Sequence, residues 1–223
     1  MANKYSFRFF SIFIALTISC SNLLFAQTDA KEVAQKIANA YGFQNFQKVK
    51  SLSYTFNVKR DTFPATSRSW KWNVKENTVT MITSKETVTY KRDTIQSAAM
   101  KSVDGRFIND QYWLLFPYHL IWDAGTIITT KSNVAAPISK KECTMLTIQY
   151  NNKDGYTPGD AYDLFVDENY LIKEWNFRKG NAEKPSLSTT WQDNIGVKKL
   201  KISTNHLNAD GKFRLWFTGV EVK

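Results

Sequence analysis

The sequence predicts an α+β protein: one large curved antiparallel sheet or incomplete β-barrel, with an N-terminal helix and a short helical, aromatic plug. Three observations carry that expectation. Apolar residues recur at helical three- and four-residue spacing near the N-terminus, then at the two-residue spacing of strands from Lys50 onward. Turn-forming residues punctuate the strand-like region roughly every 8 to 12 residues, as in sheets and barrels rather than in βαβ units. One intensely apolar stretch, residues 110–123, fits neither period. At 223 residues, with 43% hydrophobic and 22% charged side chains, the chain is rich enough to bury a core, and no composition break or internal repeat divides it.

Residues 1–26 read as a signal peptide. Lys4 and Arg8 precede an apolar run from Phe9 to Phe25, and Ala26 stands where signal peptidase cuts, so a single mature domain is expected over residues 27–223. The run is short for a spanning helix and no cationic flank follows it, which disfavours a retained anchor. Thr17-Ile18-Ser19-Cys20 loosely resembles a lipobox, which would make Cys20 a lipidated first residue anchoring a lipoprotein. The apolar run continues past Cys20 to Phe25, and this favours the later cleavage.

Thr28 or Asp29 then caps an amphipathic helix of about 13 residues, in which Val33, Ile37 and Ala40 or Tyr41 form a stripe that Gly42 ends. Leu52, Tyr54 and Phe56 share a strand face, as do Trp70, Trp72 and Val74 beyond a polar loop around Pro64. Turns at Lys75-Glu76-Asn77 and Ser84-Lys85 carry an antiparallel meander to Arg92. Asp104-Gly105 predicts a tight hairpin between residues 100–103 and 106–108, and Lys153-Asp154-Gly155 predicts another. In the aromatic stretch, Pro117 implies a helical turn, a kink and a second short piece. Residues 161–166 pair with 170–178 across Asp167-Glu168-Asn169, and 200–207 pair with a strand bearing Phe213, Leu215 and Phe217 on one face. The sum is roughly nine or ten strands.

Charge and composition narrow the function. The formal net charge is +10, and loss of Lys4 and Arg8 with the signal leaves 28 basic against 20 acidic residues, +8, so the basic character belongs to the folded domain. An exported basic protein meets anionic lipid or polysaccharide more readily than nucleic acid. Two cysteines exclude a disulfide-stapled scaffold and a four-cysteine zinc site, and Cys143, alone after export, is expected as a buried small hydrophobe. The sequence has no Gly-x-Ser-x-Gly, His-Glu-x-x-His, phosphate-binding glycine loop or Cys-x-x-Cys, so it carries no common catalytic signature and calls for no cofactor or metal. His119 and His206 are expected in separate structural roles, since a joint site requires them to converge on a carboxylate. Asp154, Asp160, Asp163 and Asp167 could offer oxygens to calcium, but their spacing is not that of an EF-hand and turn-forming or solvated roles are expected.

The order of these elements resembles the LolA/LppX-like superfamily of envelope lipoprotein and lipid carriers. The resemblance rests on the block Tyr162-Asp163-Leu164-Phe165-Val166-Asp167 to Leu171-Ile172-Lys173-Glu174-Trp175, on the stretch Asn109-Asp110-Gln111-Tyr112-Trp113-Leu114-Leu115-Phe116-Pro117, and on the helix-then-meander order across most of residues 28–223. It implies an incomplete β-barrel around helices that plug its open face, with an apolar interior that takes acyl chains. One departure stands out: a single long helix is visible here, where those carriers use several.

On that resemblance, Trp70, Trp72, Trp113, Phe116, Trp175 and Phe177 are the candidate ligand-binding residues, lining a cavity for a lipid or lipoprotein acyl chain under a lid formed by the 110–123 stretch. Ordinary core packing is the alternative for every one of them. Each buried methylene gives about 0.8 kcal/mol, so such a site needs no conspicuous polar motif. Lys198, Lys199 and Lys201 would meet anionic headgroups at the rim or a membrane surface, a solvated strand face being the alternative. The expectation is an exported, non-catalytic carrier or binding protein of the periplasm or cell envelope. Two further readings remain: an envelope module that presents exposed aromatics to carbohydrate or protein, and a hydrolase with an unrecognised site, His119 or His206 beside a carboxylate.

Overall fold

The computed structural model describes residues 29–95, 97–151 and 157–223. The expected signal peptide, Cys20, Thr28 and the Lys153-Asp154-Gly155 turn lie outside them. Helix α1 covers residues 29–40 and buries Ala30, Ala34, Ile37 and Ala38 along one stripe. Gly42 ends it at φ 85°, where a side chain is disfavoured and where a Cβ would run into the carbonyl of Lys199. Tyr41 ties this end to the rest of the molecule. Its carbonyl accepts from the Lys201 N–H at 2.9 Å and from the Tyr118 hydroxyl at 2.7 Å, and its own hydroxyl accepts from the Ile172 N–H at 3.1 Å. A single turn, α2 (Phe43–Phe46), follows.

Twelve strands are present among the described residues: β1 (Ser51–Arg60), β2 (Thr66–Asn73), β3 (Thr78–Ile82), β4 (Thr87–Lys91), β5 (Thr126–Ala135), β6 (Glu142–Tyr150), β7 (Ala161–Val166), β8 (Ile172–Arg178), β9 (Leu187–Thr190), β10 (Gln192–Val197), β11 (Leu200–Leu207) and β12 (Phe213–Val222). They form a seven-stranded sheet, β10-β11-β12-β1-β2-β3-β4, and a five-stranded sheet, β5-β6-β7-β8-β9, antiparallel throughout. The sheets adjoin where β9 passes through Trp191 into β10: the Leu207 N–H donates to Thr190 Oγ1 at 3.1 Å and Ser203 Oγ to the Gln192 carbonyl at 2.6 Å. They do not close into a barrel; β4 and β5 stand at the far edges. Two-residue alternation places Leu52, Tyr54 and Phe56 of β1, Trp70 and Trp72 of β2, and Leu215 and Phe217 of β12 in the core. The meander through residue 92 and the 161–178 and 200–217 hairpins follow the sequence expectation. Strands β5, β9 and β10 do not: β10 is exposed along nearly its whole length, and the alternating burial of β5 is not matched by its residues, with Thr126 and Thr130 on the drier face and Ile127 on the exposed one.

The edges β4 and β5 are bridged by α3 (Ala98–Trp122), which corrects the expected hairpin at Asp104-Gly105. Ser97 caps α3, its hydroxyl accepting from the Met100 N–H at 3.1 Å. Asp104 does not turn on its own backbone; it is buried and accepts from the Tyr90 hydroxyl at 3.0 Å and Arg92 Nε at 2.7 Å. The kink expected from Pro117 is present, but inside one helix: Leu115 departs to φ −120°, ψ 18°, because Pro117 offers no N–H and its ring crowds the carbonyl of Trp113. From Asp110 to Leu120 every residue is buried, so this half of α3 runs through the interior between the sheets and is the plug. It also supplies a second long helix beyond the one expected from the sequence. No helix among the described residues is long and apolar enough to cross a membrane.

Candidate functional site

Beside α3, between the two sheets, lies a cavity of about 730 Å³, within the range of small-ligand sites. Its walls follow from strand parity. Phe56 and Val58 of β1 and Leu215 and Phe213 of β12 continue the inward faces set by Tyr54 and Phe217, while Tyr162 of β7 and Trp175 and Phe177 of β8 come from the opposite sheet. Helix α3 adds Gly105, Ile108, Tyr112 and Trp113. A Cβ built on Gly105 meets nothing, so the glycine leaves open space where another residue would fill it. Phe63 and Pro64, on the β1–β2 loop, also border the cavity, and Phe63 is 70% exposed.

The aromatic wall is a connected set. Trp113 meets Trp175 at 4.5 Å between ring centroids, Trp175 stacks on Tyr162 at 5.1 Å, and Tyr162 meets Phe177 at 5.3 Å. Phe116 stands behind them, 4.8 Å from Tyr162 and 5.0 Å from Trp175. Four of the six expected residues are thus brought together: Trp113, Trp175 and Phe177 on the cavity wall and Phe116 as its backing. Trp70 and Trp72 are elsewhere, both edge-on to Phe107 at 5.3 and 5.7 Å. Trp70 is fully buried and donates from Nε1 to Asp110 at 2.7 Å; Trp72 borders a separate cleft. Tyr162, Phe56, Val58, Phe213 and Leu215 were not singled out from sequence, although their strand parity placed them on the same faces as recognised core residues.

Among the described residues, the ionisable side chains on the lining besides tyrosines are Arg60 and Arg68. Asp110, fully buried on α3, accepts from Arg68 Nε at 2.5 Å and Nη2 at 2.6 Å, as well as from Trp70 and Asn109. Burial pushes the Asp110 carboxyl upward and opposes the charge on Arg68, whose bonds and attraction to Asp110 outweigh that burial and raise its pKa. The Arg68 guanidinium also lies over the Phe56 ring at 4.8 Å. Arg60 differs: it lies 6.0 Å from the Phe213 ring centroid and pairs with no carboxylate among the described residues. Burial raises the hydroxyls of Tyr112 and Tyr162 well above their ordinary range, so both stay neutral.

On the far side of Ile108 and Tyr112 is a smaller cleft of about 340 Å³, bordered by Phe46, Trp72, His119, Trp122 and Asp123. Here His119 Nδ1 lies 3.0 Å from Asp123 Oδ1, and Asp123 Oδ2 accepts from Tyr112 at 2.8 Å and Tyr150 at 2.6 Å. Burial pushes the Asp123 carboxyl up, but the bonds from His119, Tyr150 and Tyr112 prevail and hold it below its ordinary value. His119 Nε2 is buried without a partner among the described residues, and no serine, threonine or cysteine borders this cleft. His206 is separate, enclosed by Trp191 at 4.3 Å and Trp113 at 5.4 Å, with burial lowering its pKa to about 3.

The remaining expected groups have structural placements. Asp163 is neither turn-forming nor solvated: it is buried on β7, accepting from Arg178 Nε at 3.0 Å and Thr147 at 2.8 Å. Asp167 does shape its turn, accepting from the N–H groups of Asn169 and Leu171, and Asp160 accepts from the Gly180 N–H; Asp154 lies outside the described residues. Cys143 is half-buried rather than buried, beside a wide polar hollow in which Lys141 and Lys173 face Glu142, Asp167, Glu168 and Glu174. That hollow is larger but polar, with Asp193 bringing its carboxylates to five against two lysines, and it offers no apolar wall like that beside α3. Lys198 and Lys199 are exposed on the β10–β11 turn.

No protein-family model matches the chain, and no curated protein matches it in sequence. Solved structures do match in fold. A DUF1329 family protein from Desulfovibrio piger aligns with a TM-score of 0.52 at 6% identity, over 89% of this chain and 93% of that one. A LolA superfamily protein from Nitrosomonas europaea gives 0.52 at 8% identity, over 87% and 93%. A domain described as an outer membrane lipoprotein-sorting protein, from Vibrio parahaemolyticus, gives 0.50 at 10% identity, over 88% and 93%. The chain has the LolA-like fold.

Proposed function

We propose that this protein is a non-catalytic carrier or binding protein of the cell envelope that holds a lipid or lipoprotein acyl chain in the cavity beside α3. The observation that carries the reading is the joined aromatic wall of Trp113, Tyr162, Trp175 and Phe177 around about 730 Å³ of space inside a LolA-like fold. An apolar chain there gains about 0.8 kcal/mol per buried methylene, and the neutral tyrosines place no charge against it. The strands and the interior half of α3 shape the cavity, and the exposed Phe63 stands on the β1–β2 loop at its border, where a chain would enter. The signal over residues 1–26 would deliver the mature protein to the envelope.

The surface-module reading finds little support, since the most exposed of the seven tryptophans, Trp122, shows only 36% of its surface. A hydrolase reading has one observation in its favour, the His119–Asp123 pair, but the free ring nitrogen is shut away from solvent, no serine, threonine or cysteine among the described residues borders the cleft, and the hydroxyls of Tyr112 and Tyr150 are spent on Asp123 and kept neutral by burial. The direct test of the carrier is quenching of tryptophan fluorescence by dibromostearate, whose bromines must approach Trp113 and Trp175. Saturable quenching that a Gly105→Phe substitution abolishes is the expected result. Quenching that is absent, or that Gly105→Phe leaves unchanged while the variant remains folded, would contradict the cavity as the binding site.

A further inference from the structure

The geometry points to an anionic head on the cavity's ligand, read by Arg60. This rests on the carrier reading and deepens it by naming the ligand class: a single-chain amphiphile with a carboxylate or phosphate head rather than an uncharged one.

Strand β1 presents Leu52, Tyr54, Phe56, Val58 and Arg60 on one face, because side chains alternate across a sheet. The first three are core residues and Val58 lines the cavity, so the inward row ends in a cation where the cavity meets the β1–β2 loop. Its partner across the ladder is Phe213, another lining residue, whose ring lies beneath the Arg60 guanidinium. Among the described residues the lining includes no aspartate, glutamate or lysine, and Arg68, its other cation, is neutralised by Asp110. Among the described residues, Arg60 is therefore the one uncompensated charge on the lining, placed at the border of a largely aromatic and aliphatic wall. On the ends of β1 and β12 and the turns beside them, Lys59, Lys212 and Arg214 stand against Asp61 and Asp210, so the charge around Arg60 is also net positive. A guanidinium donates several N–H bonds to carboxylate or phosphate oxygens and offers nothing to a neutral head beyond a weaker bond.

The test compares three ligands of equal chain length: laurate, dodecyl phosphate and dodecanol, titrated into the full-chain protein at fixed ionic strength and followed by tryptophan fluorescence. Laurate and dodecyl phosphate are expected to bind about tenfold more tightly than dodecanol. Preference between those two separates a free fatty acid from a phosphate-headed lipid as the source. Arg60→Gln is expected to bring the anionic ligands down to the dodecanol affinity while leaving dodecanol within about twofold, and Arg60→Lys to retain most of the preference. Equal binding of all three by the native protein would overturn the headgroup assignment and leave the carrier reading standing. Binding of none would overturn both. If Arg60→Gln does not fold, the native ligand comparison and Arg60→Lys still decide.

Discussion

His206 and Asp110 show how much of this molecule depends on single buried polar groups. His206 is held neutral among Trp113, Trp191 and Phe217, with its pKa lowered from 6.5 to about 3. The unfolded chain takes up a proton on this histidine below pH 6.5 while the folded chain does not until about 3, so stability is lost as pH falls through that window. At about 1.4 kcal/mol per pH unit, the step from pH 7.5 to 5 removes about 2 kcal/mol, and the low carboxyl pKa of Asp123 adds to the loss in more acid solution. Urea unfolding of His206→Leu should show a shallower dependence on pH than the native protein; an identical slope would refute the assignment. Asp110 anchors α3 to β2 through Arg68 and Trp70. Asp110→Asn keeps the shape but leaves a largely buried guanidinium without its counter-charge, and should cost about 3 kcal/mol in the same measurement. A loss below about 0.5 kcal/mol would mean that Arg68 simply turns to solvent.

Helix α3 is the element on which sequence and structure part company most. Asp104-Gly105 is a strong local hairpin signal, yet the pair lies inside a helix because Asp104 is claimed by Tyr90 and Arg92, and Val103, Phe107, Ile108 and Gln111 supply a buried stripe with helical spacing. Tertiary partners thus override the turn preference of the dipeptide. Gly105 itself keeps only the cost of a glycine in a helix. Gly105→Ala should therefore stabilise the protein by about 1 kcal/mol, read as a raised thermal midpoint, with the added methyl in open space. A lowered midpoint would place an unrecognised contact at that position. The Pro117 kink, by contrast, was legible, since the ring's demands are local.

At the scale of the whole molecule, the strand order runs from β4 through β1 and β12 to β10, across Trp191 to β9, and on to β5, with α3 crossing between the free edges. The strands with one wet and one dry face were readable from alternation; β5 and β10, polar on most of both faces, were not. The cavity was partly readable. Trp113, Phe116, Trp175 and Phe177 do meet, because the central strands β7 and β8 face the interior half of α3, but Trp70 and Trp72 lie further along β2 than its cavity residues Thr66 and Arg68, against Phe107. Parity tells which face a residue takes and says nothing of which part of a long interior it reaches. The parity of Arg60 with Phe56 and Val58 was equally readable and gained meaning only once the described lining showed no anion.

The central claim is that this cavity holds an acyl chain, and native mass spectrometry of the protein purified from an envelope extract, with organic extraction of its contents, tests it most directly. The account predicts one acyl lipid per chain, lost in Gly105→Phe while the thermal midpoint is preserved. A protein that emerges empty, and stays empty when dodecyl and octadecyl lipids are added, would contradict it.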